Sequence, residues 1–148
     1  MDPNRKPTLL GDAGPGTAIL EIGPSYNPVA PRAGGWNTTI VDHAPTEELR
    51  EKYTAIGIDV SALEAVDHVW MGGRLEDCIP AERHGTFQRL IASHVIEHIP
   101  DLLGFLRSAE RLLARDGAVA LAVPDKRYCF DYFRPPTTTA DLIAAQGA

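Results

Sequence analysis

The chain has 148 residues, 44% of them hydrophobic and 23% charged, which is the composition of a soluble globular domain with room for one core. With 20 acidic residues against 14 basic ones the formal charge is -6, which excludes a general nucleic-acid binder, because such proteins carry a basic contact face. No run reaches the roughly 18 apolar residues of a membrane span, and the opening MDPNRKPTLLGDAGPG lacks the apolar core of a signal peptide, so a cytoplasmic protein without a membrane partner is expected. Cys78 and Cys129 form no C-x-x-C pattern and are expected as reduced thiols.

In chain order, residues 1–17 read as a Pro/Gly-rich lead-in. The run 18–23 (AILEIG) predicts a short buried strand broken by glycine, and 38–42 (TTIVD) a second one ending on a carboxylate. Between them Pro28, Pro31, Gly34 and Gly35 allow only a short or irregular crossover. From Pro45 the period changes: Thr46 is placed to cap, Glu47 and Glu48 suit a first turn, and Leu49, Tyr53 and Ile56 share one face of a helix that Gly57 stops. A third strand is expected over 66–71 and a fourth over 90–93. From Pro100 an apolar stripe through Leu102, Phe105, Ala109 and Leu113 predicts a helix running to a glycine cap at Asp116-Gly117. A fifth strand, 118–123, precedes an aromatic tail over 127–148 that is suited to act as a lid, an edge cover or an interface.

Alternating strands and helices imply an α/β fold: a doubly wound, mainly parallel sheet of about five strands with helices on both faces. Ligands of such sheets bind at the carboxyl ends of the strands, so the loops that matter are EIGPSYNP, DHA, GGRLED, SHVIEH and PDKRY. Gly23 lets the backbone turn tightly and approach a ligand, leaving the amides of its loop to meet a carboxylate. Asp42, about twenty residues further on, stands where a carboxylate accepts both hydroxyls of a ribose.

Taken together and in this order, these loops resemble the class I S-adenosylmethionine-dependent methyltransferases over residues 18–125. The resemblance implies a Rossmann-like domain over 18–126 with S-adenosylmethionine as cofactor. It places Glu21, Gly23, Pro24 and Ser25 at the methionine end, Asp42 and His43 at the ribose, the loop from Gly73 through Arg74 and Leu75 to Glu76 at the adenine, and Ser93 and His94 beside the methyl group. Glu97 and His98 would organise the following helix. His94, and less directly Asp125, are the candidates for moving a proton, and a small-molecule or carbohydrate-like compound is the implied acceptor.

The chain departs from the family pattern in four places. Ser25 and Asn27 replace loop glycines, Arg74 stands at an acid position, Gln88 follows Phe87 where an acid is usual, and two further strands would normally follow. The fifth strand is therefore expected as a sheet edge, covered by the tail, paired in a homodimer, or continued in a longer chain. The alternatives are a non-catalytic or truncated module that binds the same cofactor, and a nicotinamide-dinucleotide domain, against which the broken glycine pattern speaks. His94 and His98 also fit the H-x-x-E-H zinc-hydrolase pattern, but Pro100 puts them on a strand-to-helix loop instead of a shared helical face, so no metal is expected.

Overall fold

A computed structural model describes residues 3–147. Its centre is a sheet of five parallel strands in the order β3-β2-β1-β4-β5, with β1 at Ile19–Ile22, β2 at Thr38–Asp42, β3 at His68–Val69, β4 at Phe87–Ser93 and β5 at Leu113–Ala122. The α/β class and the parallel five-stranded sheet are those the alternating pattern implies.

Strand alternation assigns the two faces. Leu20, Ile22, Leu90 and Ala92 join Phe105, Ala109 and Leu112 of helix α3 (Leu102–Leu112) in the larger core. Ile19 and Ile91 face the other way, against Leu9 of α1 (Arg5–Leu10) and the irregular segment around Val29 and Ala30. Between β1 and β2 there is only one 3-10 turn, Arg32–Gly34, as the prolines and glycines require. Helix α2 (Thr46–Ala55) buries Leu49 against Ala44 and Leu63 and ends before Gly57, whose φ of 74° suits a stop.

Several boundaries differ from the sequence reading. Thr46 lies inside α2 and does not cap it; its hydroxyl accepts from Val66 N at 2.9 Å. The third strand shrinks to two residues, because the Asp67 carboxylate takes the Ile40 amide at 2.7 Å that strand pairing would otherwise use. The fourth strand begins at Phe87, three residues early, with Phe87 fully buried. Helix α3 stops at Leu112, and β5 starts at the next residue. Asp116 and Gly117 are therefore no cap but part of a bulge: pairing passes from Phe87–Leu113 to Arg89–Ala118, and a Cβ on Gly117 would lie 2.9 Å from the Phe87 carbonyl oxygen. Helices α1 and α4 (Thr139–Ala144) have no counterpart in the sequence reading. α4 has a capping box, in which Thr138 and Asp141 bond each other's backbone amides.

The aromatic tail does not cover the β5 edge. Phe130 and Phe133 are 99% and 96% exposed, Val123 just past β5 is exposed, and α4 approaches α3 instead.

Candidate functional site

The strand order reverses between β1 and β4, and loops leaving their carboxyl ends diverge there. A cavity of about 1100 Å³ opens at that point, walled by the loops after β1, β2, β3 and β4 and by the first turn of α3. Gly23, Ser25, Asp42, His43, Gly73, Arg74 and His94 line it, as do Lys52, Tyr53, Trp70, Val95, His98 and Phe105.

The turn after β1 is compact. Gly23 has φ of 61°, and a Cβ there would lie 2.9 Å from Val95 Cγ2 in the loop after β4, so only glycine lets the two loops close on each other. Three amides of this loop are bonded within the fold: Gly23 N donates to Val41 O, Asn27 N to Pro24 O and Ser25 N to the Asp42 carboxylate.

Asp42 ends β2 with both oxygens engaged. Oδ2 accepts from Ser25 N at 2.8 Å and Ser25 Oγ at 3.3 Å; Oδ1 accepts from His43 N at 2.8 Å and His43 Nδ1 at 2.7 Å. Two neighbouring residues of α2 stand behind these partners. Tyr53 donates its hydroxyl to Ser25 Oγ at 3.0 Å, and Lys52 Nζ lies 2.9 Å from His43 Nε2.

On the far wall Trp70 and Phe105 stack with centroids 6.1 Å apart and planes 29° from parallel, while Trp70 Nε1 donates to Gly73 O at 3.2 Å. Arg74 bonds Glu76 Oε1 at 2.8 Å, and Arg111 of α3 reaches the same oxygen. Burial pushes the Glu76 carboxyl up, but hydrogen bonds from Ser108 and Arg74 outweigh it and hold the group below the usual carboxylate range.

His94 takes a left-handed backbone with φ of 57°, which is uncommon for a residue with a side chain. Its Nδ1 lies 3.6 Å from Glu97 Oε1 on the 3-10 turn Ile96–His98. His98 lines the cavity too. No group of three or more His, Cys, Asp or Glu side chains able to hold a metal occurs among the described residues.

The other candidates lie off the cavity wall. Glu21 pairs with Ile91 in the sheet and so points to the α1 face; its oxygens accept from Val29 N at 2.6 Å and Ala30 N at 3.1 Å. Burial pushes its carboxyl above the usual range, against the pull of those two amides. Ser93, two residues past Ile91 on the same face, accepts from Arg5 of α1 at 2.8 Å, and Arg5 also donates to Asn27 O. Leu75 is fully buried in the core, and Pro24 is absent from the wall. Asp125 is paired with Arg127, whose hydrogen bonds hold its carboxyl below the usual range, and it does not reach the cavity.

The sequence reading misses Lys52, Tyr53, Trp70 and Phe105. Tyr53 and Phe105 carry a signal only for a helix's apolar face, which does not tell a core position from a cavity wall. Glu76, the last residue of the loop expected at the adenine, lies off the cavity wall.

The sequence profile of a family described as a methyltransferase domain matches residues 4–144, nearly the whole chain. No curated protein matches the sequence. Among solved structures, a SAM-dependent methyltransferase from Aquifex aeolicus is 17% identical with a TM-score of 0.52, over 98% of this chain and 83% of its own. The trans-methyltransferase CalH, solved in complex with SAH, is 18% identical with a TM-score of 0.51, over 80% of this chain and 36% of its own. A protein provisionally described as a Zn-dependent alcohol dehydrogenase from Rhodobacter sphaeroides is 17% identical with a TM-score of 0.52, over 81% and 46%. The chain thus spans less than half the length of two of these three, and at such identities the likeness speaks for the fold. The profile match over 4–144, on a sheet of this order with its cavity at the switch point, identifies the chain as a member of the class I S-adenosylmethionine-dependent methyltransferase family.

Proposed function

We propose that the chain binds S-adenosylmethionine in the cavity at the strand ends and transfers its methyl group to a small-molecule or carbohydrate-like acceptor. The observation that carries this reading is the Asp42 carboxylate, set at the end of β2 on the cavity wall and bonded to the loop that follows the tight turn at Gly23. The cavity suits a nucleoside: the Asp42 carboxylate stands on its wall where a ribose hydroxyl would exchange with one of its side-chain donors, and Trp70 with Phe105 offers a flat apolar wall for a planar base. Gly23 and Ser25 would border the methionine end, Asp42 the ribose, and Gly73 and Arg74 the base.

The cofactor supplies a methyl group already activated on a sulfonium, so the protein's part is chiefly alignment. His94 is assigned the proton. With Nδ1 turned towards Glu97, its Nε2 is left free to take the proton of an acceptor hydroxyl or amine. Asp125, tied to Arg127 outside the cavity, has no part in this reading. Glu21 and Ser93 support the site from below, through the 29–30 segment and α1. A small, neutral or polar acceptor fits an acidic chain with an apolar cavity wall, and the exposed β5 edge, with Val119, Leu121 and Val123, is assigned to self-association.

Calorimetry tests the proposal. Both S-adenosylmethionine and S-adenosylhomocysteine bind the wild-type chain, and Asp42→Ala weakens both by roughly ten- to a hundredfold, the worth of hydrogen bonds to a charged group. No heat with either ligand overturns the proposal. Binding without turnover of any acceptor would reduce the chain to a cofactor-binding module.

A further inference from the structure

We infer that His43 is a cap on Asp42 that the cofactor must displace, so that competition between its imidazole and the ribose sets the affinity of the cavity. The inference rests on the cofactor reading above and adds to it a residue that opposes binding.

A carboxylate has about four acceptor positions, two on each oxygen. At Asp42 all four are filled: Oδ2 by the Ser25 amide and hydroxyl, Oδ1 by the His43 amide and imidazole. The saturation shows in its exposure. Although Asp42 belongs to the cavity wall, its side chain is only 1% exposed.

Two of the four donors are backbone amides and stay where the fold puts them. The other two are side-chain groups, one on each oxygen. A ribose hydroxyl that is to bond this carboxylate must therefore take the position of one of these two side-chain donors, Ser25 Oγ or His43 Nδ1.

Of these two, His43 is built to leave. The Ser25 hydroxyl sits on a left-handed backbone with φ of 49° and is tied from behind by Tyr53. The His43 ring is half exposed and is held on its other nitrogen only by Lys52, an exposed residue. An ammonium can only donate, so Lys52 makes Nε2 the acceptor and places the ring hydrogen on Nδ1, aimed at Asp42. Rotation about χ1 would remove the imidazole without disturbing the bond from the His43 amide. Without a ligand, then, the cap satisfies a buried carboxylate; with one, it must give way.

The full chain is titrated with S-adenosylhomocysteine as wild type and as His43→Ala, and the His43 ring is followed by ¹⁵N NMR in the wild type. The variant is expected to bind about three- to tenfold tighter, since it has no imidazole hydrogen bond to break. In the free wild type the ring shows a protonated Nδ1 bonded to an acceptor, and this signature disappears on saturation. Equal or weaker binding by His43→Ala, or an unmoved ring signature at saturation, overturns the cap while leaving the cofactor reading intact. A wild type that binds no S-adenosylhomocysteine overturns the cofactor reading, and the cap with it.

Discussion

Replacing Glu21 by alanine removes the acceptor of two buried amides. Val29 and Ala30 are almost fully buried, and their N–H groups donate to Glu21 Oε1 at 2.6 Å and Oε2 at 3.1 Å. Left buried without an acceptor, the two N–H groups cost about 1–3 kcal/mol each, or roughly 2–6 kcal/mol for the pair. Against this stands the cost of burying the carboxylate, which is 1% exposed and whose pKa is raised by burial. The expected net loss is about 2–4 kcal/mol at neutral pH, a large part of the 5–15 kcal/mol that holds an ordinary domain together. For a chain of this length that lowers the melting temperature by on the order of 10 °C.

Urea denaturation followed by circular dichroism measures the loss, and its pH dependence supplies a second check. The folded pKa of Glu21 lies above its ordinary value of 4.5, so above that pH the native state keeps a proton that the unfolded chain has released. The contribution of this group is complete below 4.5 and falls as pH rises through the folded pKa. Glu21→Gln cannot titrate, so the stability difference between wild type and this variant should move against the wild type as pH rises from 4.5. A Glu21→Ala loss below about 1 kcal/mol, or a wild-type-to-Gln difference flat with pH, would refute the clamp.

Gly23→Ala forces a side chain into a left-handed turn, at roughly 1–2 kcal/mol, and pushes on Val95 Cγ2, so both the melting temperature and the affinity for S-adenosylhomocysteine should fall; an unchanged melting temperature would contradict the close approach of the two loops. Arg5→Met removes the bonds from α1 to Ser93 and Asn27 and should cost about 1–3 kcal/mol, with hydrogen exchange in residues 5–10 rising more than in β1. Because Phe130 and Phe133 are almost wholly exposed, replacing both by serine should leave the urea midpoint within about 0.5 kcal/mol of wild type, and a larger loss would mean that they pack against something.

The sheet was legible where burial is complete. β1 and β2 are buried at every position, and a short run of apolar and β-branched residues framed by glycine and proline fits little besides a strand covered on both faces. β5 was harder to delimit, because its glycine serves a bulge, and glycine punctuates bulges and helix ends alike. α1 escaped notice because what holds it is long-range: Leu9 in the core and Arg5 reaching across 88 positions to Ser93. In the site, Gly23, Asp42 and His94 could be found because each stands at the end of a strand or directly after one. Glu21 and Ser93 follow the same rule along the chain, but the two-residue period turns their side chains to the α1 face. Lys52 and Tyr53 reach the cavity only through the placement of α2, which no local pattern records.

Ser25 and His94 are the only described residues other than glycine with left-handed backbones, and both line the cavity. Glycine at either position would relieve roughly 1–2 kcal/mol of conformational strain. A search for thermostable variants by melting temperature alone would therefore be drawn to these two positions, and would remove from the cavity the hydroxyl that touches Asp42 and the imidazole assigned the proton. In this chain the route to a hardier fold and the route to an empty site begin at the same residues.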